Sequence, residues 1–439
     1  MFKETSKELL DFLSKSPTAF HAVENYRQIL NADGFKELLE SEHWDIVPGG
    51  KYYVTRNNTS ILAFKVGTKL DNYSFNIVTS HTDSPTFKVK ENAEIEVKNK
   101  YTQLNTEGYG GMLCATWLDR PLSIAGRVLV SEGNSIVTKL LNIDRDLLMI
   151  PNVAIHMNRA ANDGFKYNLQ VDMLPLLSAG DDRQKDFKQI IADELGVKKE
   201  DILGHDLYLY NRMAPSIWGA NEEFISAGHL DDLQCGFASL KALLAGYNDE
   251  SIDIMACFDN EEVGSGTKQG ADSTLLRDTL TRINSALGKT EEDYHRALAS
   301  SFMLSSDNAH AVHPNHPEHT DVTNCTYMNE GVVVKSHAGQ KYTSDGVSMA
   351  VVKALASGAD VPLQYFANRS DKAGGSTLGN IAMAQASMNA VDIGLPQLAM
   401  HSSYETAGIK DTYYAITLMK ALFDSHIQET STHSLEIKH

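Results

Sequence analysis

The sequence predicts an α/β fold, a mixed and largely parallel sheet covered by helices and interrupted by a β-rich insertion. Three observations predict it. Beyond about residue 219, apolar strands and amphipathic helices alternate, a pattern that gives parallel strands with helices packed over them. Over residues 88–218 the texture changes to alternating polar and apolar runs with turn signals, as a β-rich module requires. Strands on both sides of that module end in histidine or carboxylate, so segments far apart in sequence must share one sheet edge.

The elements follow in order. Leu9, Leu10, Phe12 and Leu13 form one helical face. SPTAFHAVENYRQIL starts a second helix, with Ser16 or Thr18 as cap and Phe20, Val23, Tyr26, Ile29 and Leu30 on its apolar side. KYYVTRNNTSILAFKVG reads as a hairpin about Asn57-Asn58, and YSFNIVTSHTDSP as a short strand ending in a polar cluster. Within the module, AEIEVKNK alternates as a half-exposed strand, LSIAGRVLVSEGNSIVTKLL is two strands about SEGN, and DFKQIIADELG is a charged helix. Afterwards come DLQCGFASLKALLAG (helix), SIDIMACFDN (strand), TLLRDTLTRINSAL (helix), SFMLSSDN (strand), LPQLAMHSS (strand) and DTYYAITLMKALFD (helix). The polar tail QETSTHSLEIKH is expected to fray.

The chain has 439 residues, a prior of two or three domains at roughly 150 residues each. With 39 Lys+Arg against 57 Asp+Glu the net charge is −18, which repels phosphate backbones and argues against a nucleic-acid partner. The 4 cysteines form no CxxC pair and read as reduced thiols. MFKETSKELLDFL has no apolar signal core, and no run approaches the ~18 apolar residues of a spanning helix. A cytoplasmic protein without a membrane partner is expected.

NIVTS runs into His81-Thr82-Asp83, IMACF into Asp259-Asn260-Glu261-Glu262, FMLSS into Asp307 with His310 behind it, and QLAM into His401. Asp231 in HLDDL opens a helix, where free amides and the dipole favour an acid. Singly, each has a plainer role: Asp231 an N-cap, Glu261 and Glu262 a solvated pair, Asp83 an Asx turn before Pro85. Together, histidines and carboxylates without cysteine are the donors of hydrolytic zinc, manganese or cobalt. Two histidines and three carboxylates exceed the needs of one catalytic zinc and fit a pair of ions about 3.5–4 Å apart. One glutamate of the Glu261-Glu262 doublet would bind metal while its neighbour serves as base, and Asp83 would hold the His81 ring from behind.

Other motifs are set aside. GSGTKQG lacks the spacing of a dinucleotide loop and the GK[ST] of a P-loop. The His-dense HPNHPEH (His313 to His319) is broken by prolines and contains no HExxH. Asn58-Thr59-Ser60 matches a glycosylation sequon that has no meaning in a cytosolic chain.

The segments SPTAFHAV, SHTDSP, IPNVAIHMNR, LDDL, DNEEVGS, SSDNAHAVHPN, KYTSD and MHSSYE resemble, in order and over nearly the whole chain, the aspartyl aminopeptidases, dinuclear metallopeptidases with a zinc-peptidase-like fold. The resemblance implies two divalent ions per subunit, Zn2+ with Mn2+ or Co2+ possible. His81 and Asp307 would complete one ion, Glu262 and His401 the other, and Asp231 would bridge them. Glu261 would be the general base and Asp83 the partner of His81. His310, Lys335 and Tyr342 would line the substrate pocket, Lys335 as the cation for an acidic side chain, and His156 would reach a neighbouring subunit's site. It also implies release of N-terminal residues, Asp or Glu preferred, from peptides with a free amine, and dimers that assemble into a tetrahedral dodecamer around an inner chamber. Residues 1–87 plus 219–439 then form the peptidase domain and 88–218 the dimerisation domain. Two rivals use the same residues: a dinuclear deacylase or amidohydrolase, told apart by N-acylated substrates, and an inactive metal-stabilised scaffold, which has no use for the unligated base Glu261.

Overall fold

A computed structural model describes residues 1–438. Its main sheet has nine strands in the order Lys36–Leu38, Lys51–Arg56, Ser60–Val66, Ser251–Phe258, Ser74–His81, Phe302–Ser306, Asn389–Gly394, Val332–Lys335 and Leu363–Phe366. The four strands from Ser251–Phe258 to Asn389–Gly394 run parallel, and antiparallel pairs flank them on both sides. The predicted hairpin is present, and Asn57 and Asn58 both take positive φ, 58° and 57°, as a two-residue turn matching strand twist needs.

Strand alternation sorts the core onto two faces. Ile61, Ala63, Val78 and Met255 pack with helices Phe2–Ser14, Ala19–Ala32, Leu230–Ala245, Gly346–Gly358 and Asp411–Phe423. Leu62, Phe64, Ile77 and Ile254 pack with helices Leu275–Ala286, Glu291–Ala299 and Leu378–Gln385. The helix at Ala19–Ala32 does begin after Thr18, but the Thr18 hydroxyl pairs with His21 Nδ1 at 2.8 Å and does not cap the helix.

An antiparallel six-stranded sheet runs in the order Ser135–Asn142, Leu122–Glu132, Ile202–Asn211, Thr86–Val97, Tyr101–Tyr109 and Leu176–Ala179 around its own apolar core. The charged helix spans Phe187–Leu195, capped by the Asp186 side chain and closed by Gly196 at φ 65°. A third sheet of five short strands (Ser216–Trp218, Phe224–Ala227, Glu405–Gly408, Pro396–Leu398, Ala309–His310) is separately hydrogen-bonded and shares the main sheet's core through Ile225, Ala227 and Ala407.

Two expectations change. The C-terminal tail is a hairpin, His426–Ser431 with Ser434–Lys438, because Ile427, Leu435 and Ile437 alternate onto the core and outweigh the segment's polar composition. The strand before His401, Pro396–Leu398, belongs to the five-stranded sheet and not to the parallel one, so His401 arrives by a different route from His81 and Asp307. Among the described residues no helix is long and apolar enough to cross a membrane.

Candidate metal centre

Register brings the polar tips together. His81 lies opposite Phe258, and Ser305 lies opposite both Thr79 and Asp392. His81, Glu261-Glu262 and Asp307 therefore leave the sheet at one edge, where open α/β sheets bind ligands. The small sheet supplies the rest: Ala227 pairs with Glu405, setting the Leu230-Asp231 turn beside the His401 turn. Glu405 ties the two turns, since its carboxylate accepts from the Asp231 amide at 3.0 Å and the His401 amide at 2.8 Å.

Asp231 lies between the two histidines. Its Oδ1 is 3.6 Å from His81 Nε2 and its Oδ2 is 3.3 Å from His401 Nε2, while Glu262 Oε2 is also 3.3 Å from His401 Nε2. One donor atom each of His81, Asp231 and Asp307 lies within 4.8 Å of the others, and the same holds for Asp231, Glu262 and His401 and for His81, Glu261 and Glu262. Asp83 stands behind: its carboxylate accepts from the Glu261 and Glu262 amides, both at 3.1 Å, and its Oδ1 is 3.4 Å from His81 Nδ1. His401 Nδ1 is held at 3.0 Å from the Gly111 carbonyl. Each ring thus turns Nε2 toward Asp231, as second-sphere partners of metal-binding histidines do.

The electrostatics ask for cations. Burial pushes the Glu261 carboxyl up to about 8, with Asp307 and Asp83 adding to the shift, and burial with Asp231 raises Glu262. Asp307 is raised by burial although Lys335 opposes the shift. Burial works against the Asp231 charge, but His401 and His81 outweigh it and hold the carboxyl below the ordinary range. Burial disfavours charged His401 too, yet Asp231 raises its pKa to about 9. Asp231 Oδ1 and Glu262 Oε1 are buried without a hydrogen-bond partner. Orphaned acid oxygens beside imidazole nitrogens fit divalent cations, whose charge would replace the protons.

The remaining predicted residues lie at different distances from this centre. Lys335 is buried, its Nζ donating to the Asn308 carbonyl at 2.8 Å, 3.7 Å from Asp307 Oδ1 and 5.8 Å from the centroid of the buried Tyr342 ring. His310 is exposed, its ring edge-on to Phe366 at 6.1 Å, within electrostatic range of Lys335, Asp231 and His401. His156 sits on an exposed loop of the inserted module with exposed Val153, Ile155 and Met157 around it.

Sequence reasoning missed the module's own contribution. The Tyr109 hydroxyl donates to Asp83 Oδ2 at 2.7 Å and accepts from Asn260 Nδ2 at 2.8 Å. Gly110, at φ 73°, passes so close that a Cβ would stand 3.1 Å from Glu262 Cβ. The only signal was Tyr-Gly-Gly at a strand end. Tyr109→Phe removes one donor to Asp83, and zinc affinity is expected to fall about 10-fold or more. Competition against a chromogenic chelator measures it; equal affinity would reduce Tyr109 to a packing residue.

A family model described as aminopeptidase I zinc metalloprotease (M18) matches residues 12–423. A Clostridium novyi (strain NT) protein described as a probable M18 family aminopeptidase 2 is 48% identical over 425 residues, 95% of this chain and 98% of that protein. Among solved structures, a chain of the Ape4 and Nbr1 complex matches with TM-score 0.93 and 35% identity over 96% of this chain and 86% of that chain. The S. cerevisiae mApe1 dodecamer matches with TM-score 0.84 and 28% identity over 96% and 97%.

Proposed function

The chain belongs to the aminopeptidase I zinc metalloprotease (M18) family and is a metallo-aminopeptidase, and on that premise we propose that it releases N-terminal residues, Asp and Glu preferentially, at a centre for two divalent ions. The observation that carries this reading is Asp231 set between His81 and His401 with one carboxylate oxygen toward each. His81 and Asp307 would hold one ion, Glu262 and His401 the other, and Asp231 both; Zn2+ is the first choice, and Mn2+ or Co2+ suit the same donors. When bound, such a pair acidifies water and polarises the scissile carbonyl.

The chain's own residues do the rest. The substrate's free α-amino group binds beside the carboxylates. Glu261 takes a proton from the attacking water onto its carboxylate oxygen and returns it to the leaving amine nitrogen, a role its place beside His81 and Glu262 suits. Asp83 fixes the His81 ring and the Glu261 and Glu262 backbone. Lys335, its ammonium engaged by Asn308 and Asp307, acts on an acidic side chain as a fixed positive charge beneath the pocket. Residues 88–218 form the dimerisation domain, and His156 completes the site of an adjoining subunit. The exposed apolar side chains around His156 support that reading, as does the dodecameric state of the mApe1 neighbour. The reading extends to assembly into a tetrahedral dodecamer and to a place in the cytoplasm.

A panel of aminoacyl substrates, assayed after chelation and refilling with Zn2+, Mn2+ or Co2+, tests the reading. Chelation is expected to abolish turnover and refilling to restore it. Asp and Glu substrates should exceed Leu substrates at least about 10-fold in kcat/KM, the scale of one charged contact. N-acetylated counterparts should resist. Equal rates for Leu and Asp would remove the acidic preference alone, whereas activity insensitive to chelation would remove the metal mechanism.

A further inference from the structure

One cluster lies outside the centre already described, in the segment HPNHPEH that follows the strand Ala309–His310. Pro314 and Pro317 stiffen it, and Pro317–His319 forms a single 3-10 turn. The Thr320 hydroxyl donates to the Pro317 carbonyl at 2.9 Å, and an Arg369 guanidinium nitrogen donates to the Glu318 carbonyl. His316 Nδ1 lies 3.0 Å from Glu318 Oε1, and His319 Nε2 lies 4.0 Å from the same oxygen. One donor atom of each of the three residues is within 4.8 Å of the others. His313 stands next in the row, its Nδ1 accepting from the Asn315 amide at 3.2 Å.

The spacing of the rings suits shared ligation. The His313 and His316 centroids are 5.4 Å apart, and so are those of His316 and His319, which stack with planes 27° apart. Two imidazoles that each give one nitrogen to a tetrahedral ion, at about 2.0–2.1 Å, have centroids about 5 Å apart. Glu318 supplies the one carboxylate of the cluster, and the Arg369 guanidinium that lines the same cavity is paired with Asp371 at 2.9 Å. Imidazole nitrogens with one carboxylate select borderline divalent ions such as Zn2+, Ni2+ and Cu2+ over Mg2+ or Ca2+.

We infer that His316, Glu318 and His319, with His313 alongside, form a third divalent-metal site, distinct from the buried pair. The side chains of His316, Glu318 and His319 are 58–64% exposed, so the ion exchanges freely with solvent and binds far more weakly than the buried pair. His313, His316 and His319 line a cavity of about 250 Å³ that His310 also lines, so an ion held there adds positive charge next to the substrate pocket. No residue of the site belongs to the set His81, Asp231, Glu262, Asp307 and His401, so the inference stands or falls apart from the proposed mechanism.

The test is equilibrium dialysis of the full chain against rising free Zn2+ at pH 7.5, with bound zinc counted by mass spectrometry. One further equivalent is expected above the tight ions, filling in the micromolar range. The double variant His316→Ala with His319→Ala should lose that equivalent, keep the tight ions and keep kcat at low zinc. Glu318→Gln should weaken it at least tenfold. Superimposable zinc curves for the parent and the double variant would overturn the site. If the double variant also sheds tight zinc or fails to fold, Glu318→Gln decides, and parent-like third binding there overturns the inference.

Discussion

Replacing Glu261 with glutamine is expected to lower kcat by about 10²–10⁴-fold, the range a positioned general acid–base group contributes. At 1.36 kcal/mol per tenfold, that is about 3–5 kcal/mol of transition-state stabilisation. The amide keeps the volume and the backbone contact, because Glu261 is anchored through its own N–H to Asp83 Oδ1 at 3.1 Å and not through its carboxylate. Zinc content should therefore stay at the parent value while turnover disappears, and KM should change little. Zinc analysis and steady-state kinetics on one preparation measure both. Activity within tenfold of the parent would show that another group handles the proton, and loss of zinc together with activity would make Glu261 a ligand.

The second large effect belongs to Asp231. Asparagine at this position keeps the shape but removes the charge set between His81 Nε2 at 3.6 Å and His401 Nε2 at 3.3 Å. Both ions are expected to weaken together, because in the proposed centre one carboxylate would serve both. The variant should hold less than about one zinc per chain after dialysis, and kcat should fall at least about 10³-fold. Asp307→Asn, which touches only the His81 side, should leave the ion at Glu262 and His401 in place. Mass spectrometric zinc counts on both variants, with thermal melts to confirm folding, make the comparison. Equal zinc loss in the two variants would argue against a bridging role for Asp231.

Much of the molecule was legible in its residues, for reasons tied to local chemistry. Apolar runs such as SFNIVTS and SIDIMACF are buried along their full length in the central parallel strands, which is why they lack alternation. Asn57-Asn58 announced its turn because both residues tolerate positive φ. What misled was composition at the edges: the tail looks polar, yet Leu435 and Ile437 have a period of two, and pairing with His426–Ser431 outweighs overall polarity. His401 follows a strand as expected, though a strand of another sheet, and sheet membership depends on partners that a single segment does not specify.

The sequence by itself determined the chemistry of the site: imidazoles and carboxylates at strand tips, a glutamate doublet, and no thiolate among them. Tertiary structure alone decided how they are held. It set Glu405 to clasp the backbones of Asp231 and His401, and it brought Tyr109 and Gly110 of the inserted module against Asp83 and Glu262. It also spent the Lys335 charge on Asp307 and Asn308 beneath the pocket. The physical reason is range. A residue's donor atoms and local backbone preferences are its own, whereas a hydrogen bond spanning 151 or 174 positions forms only when the whole sheet arrangement closes around it.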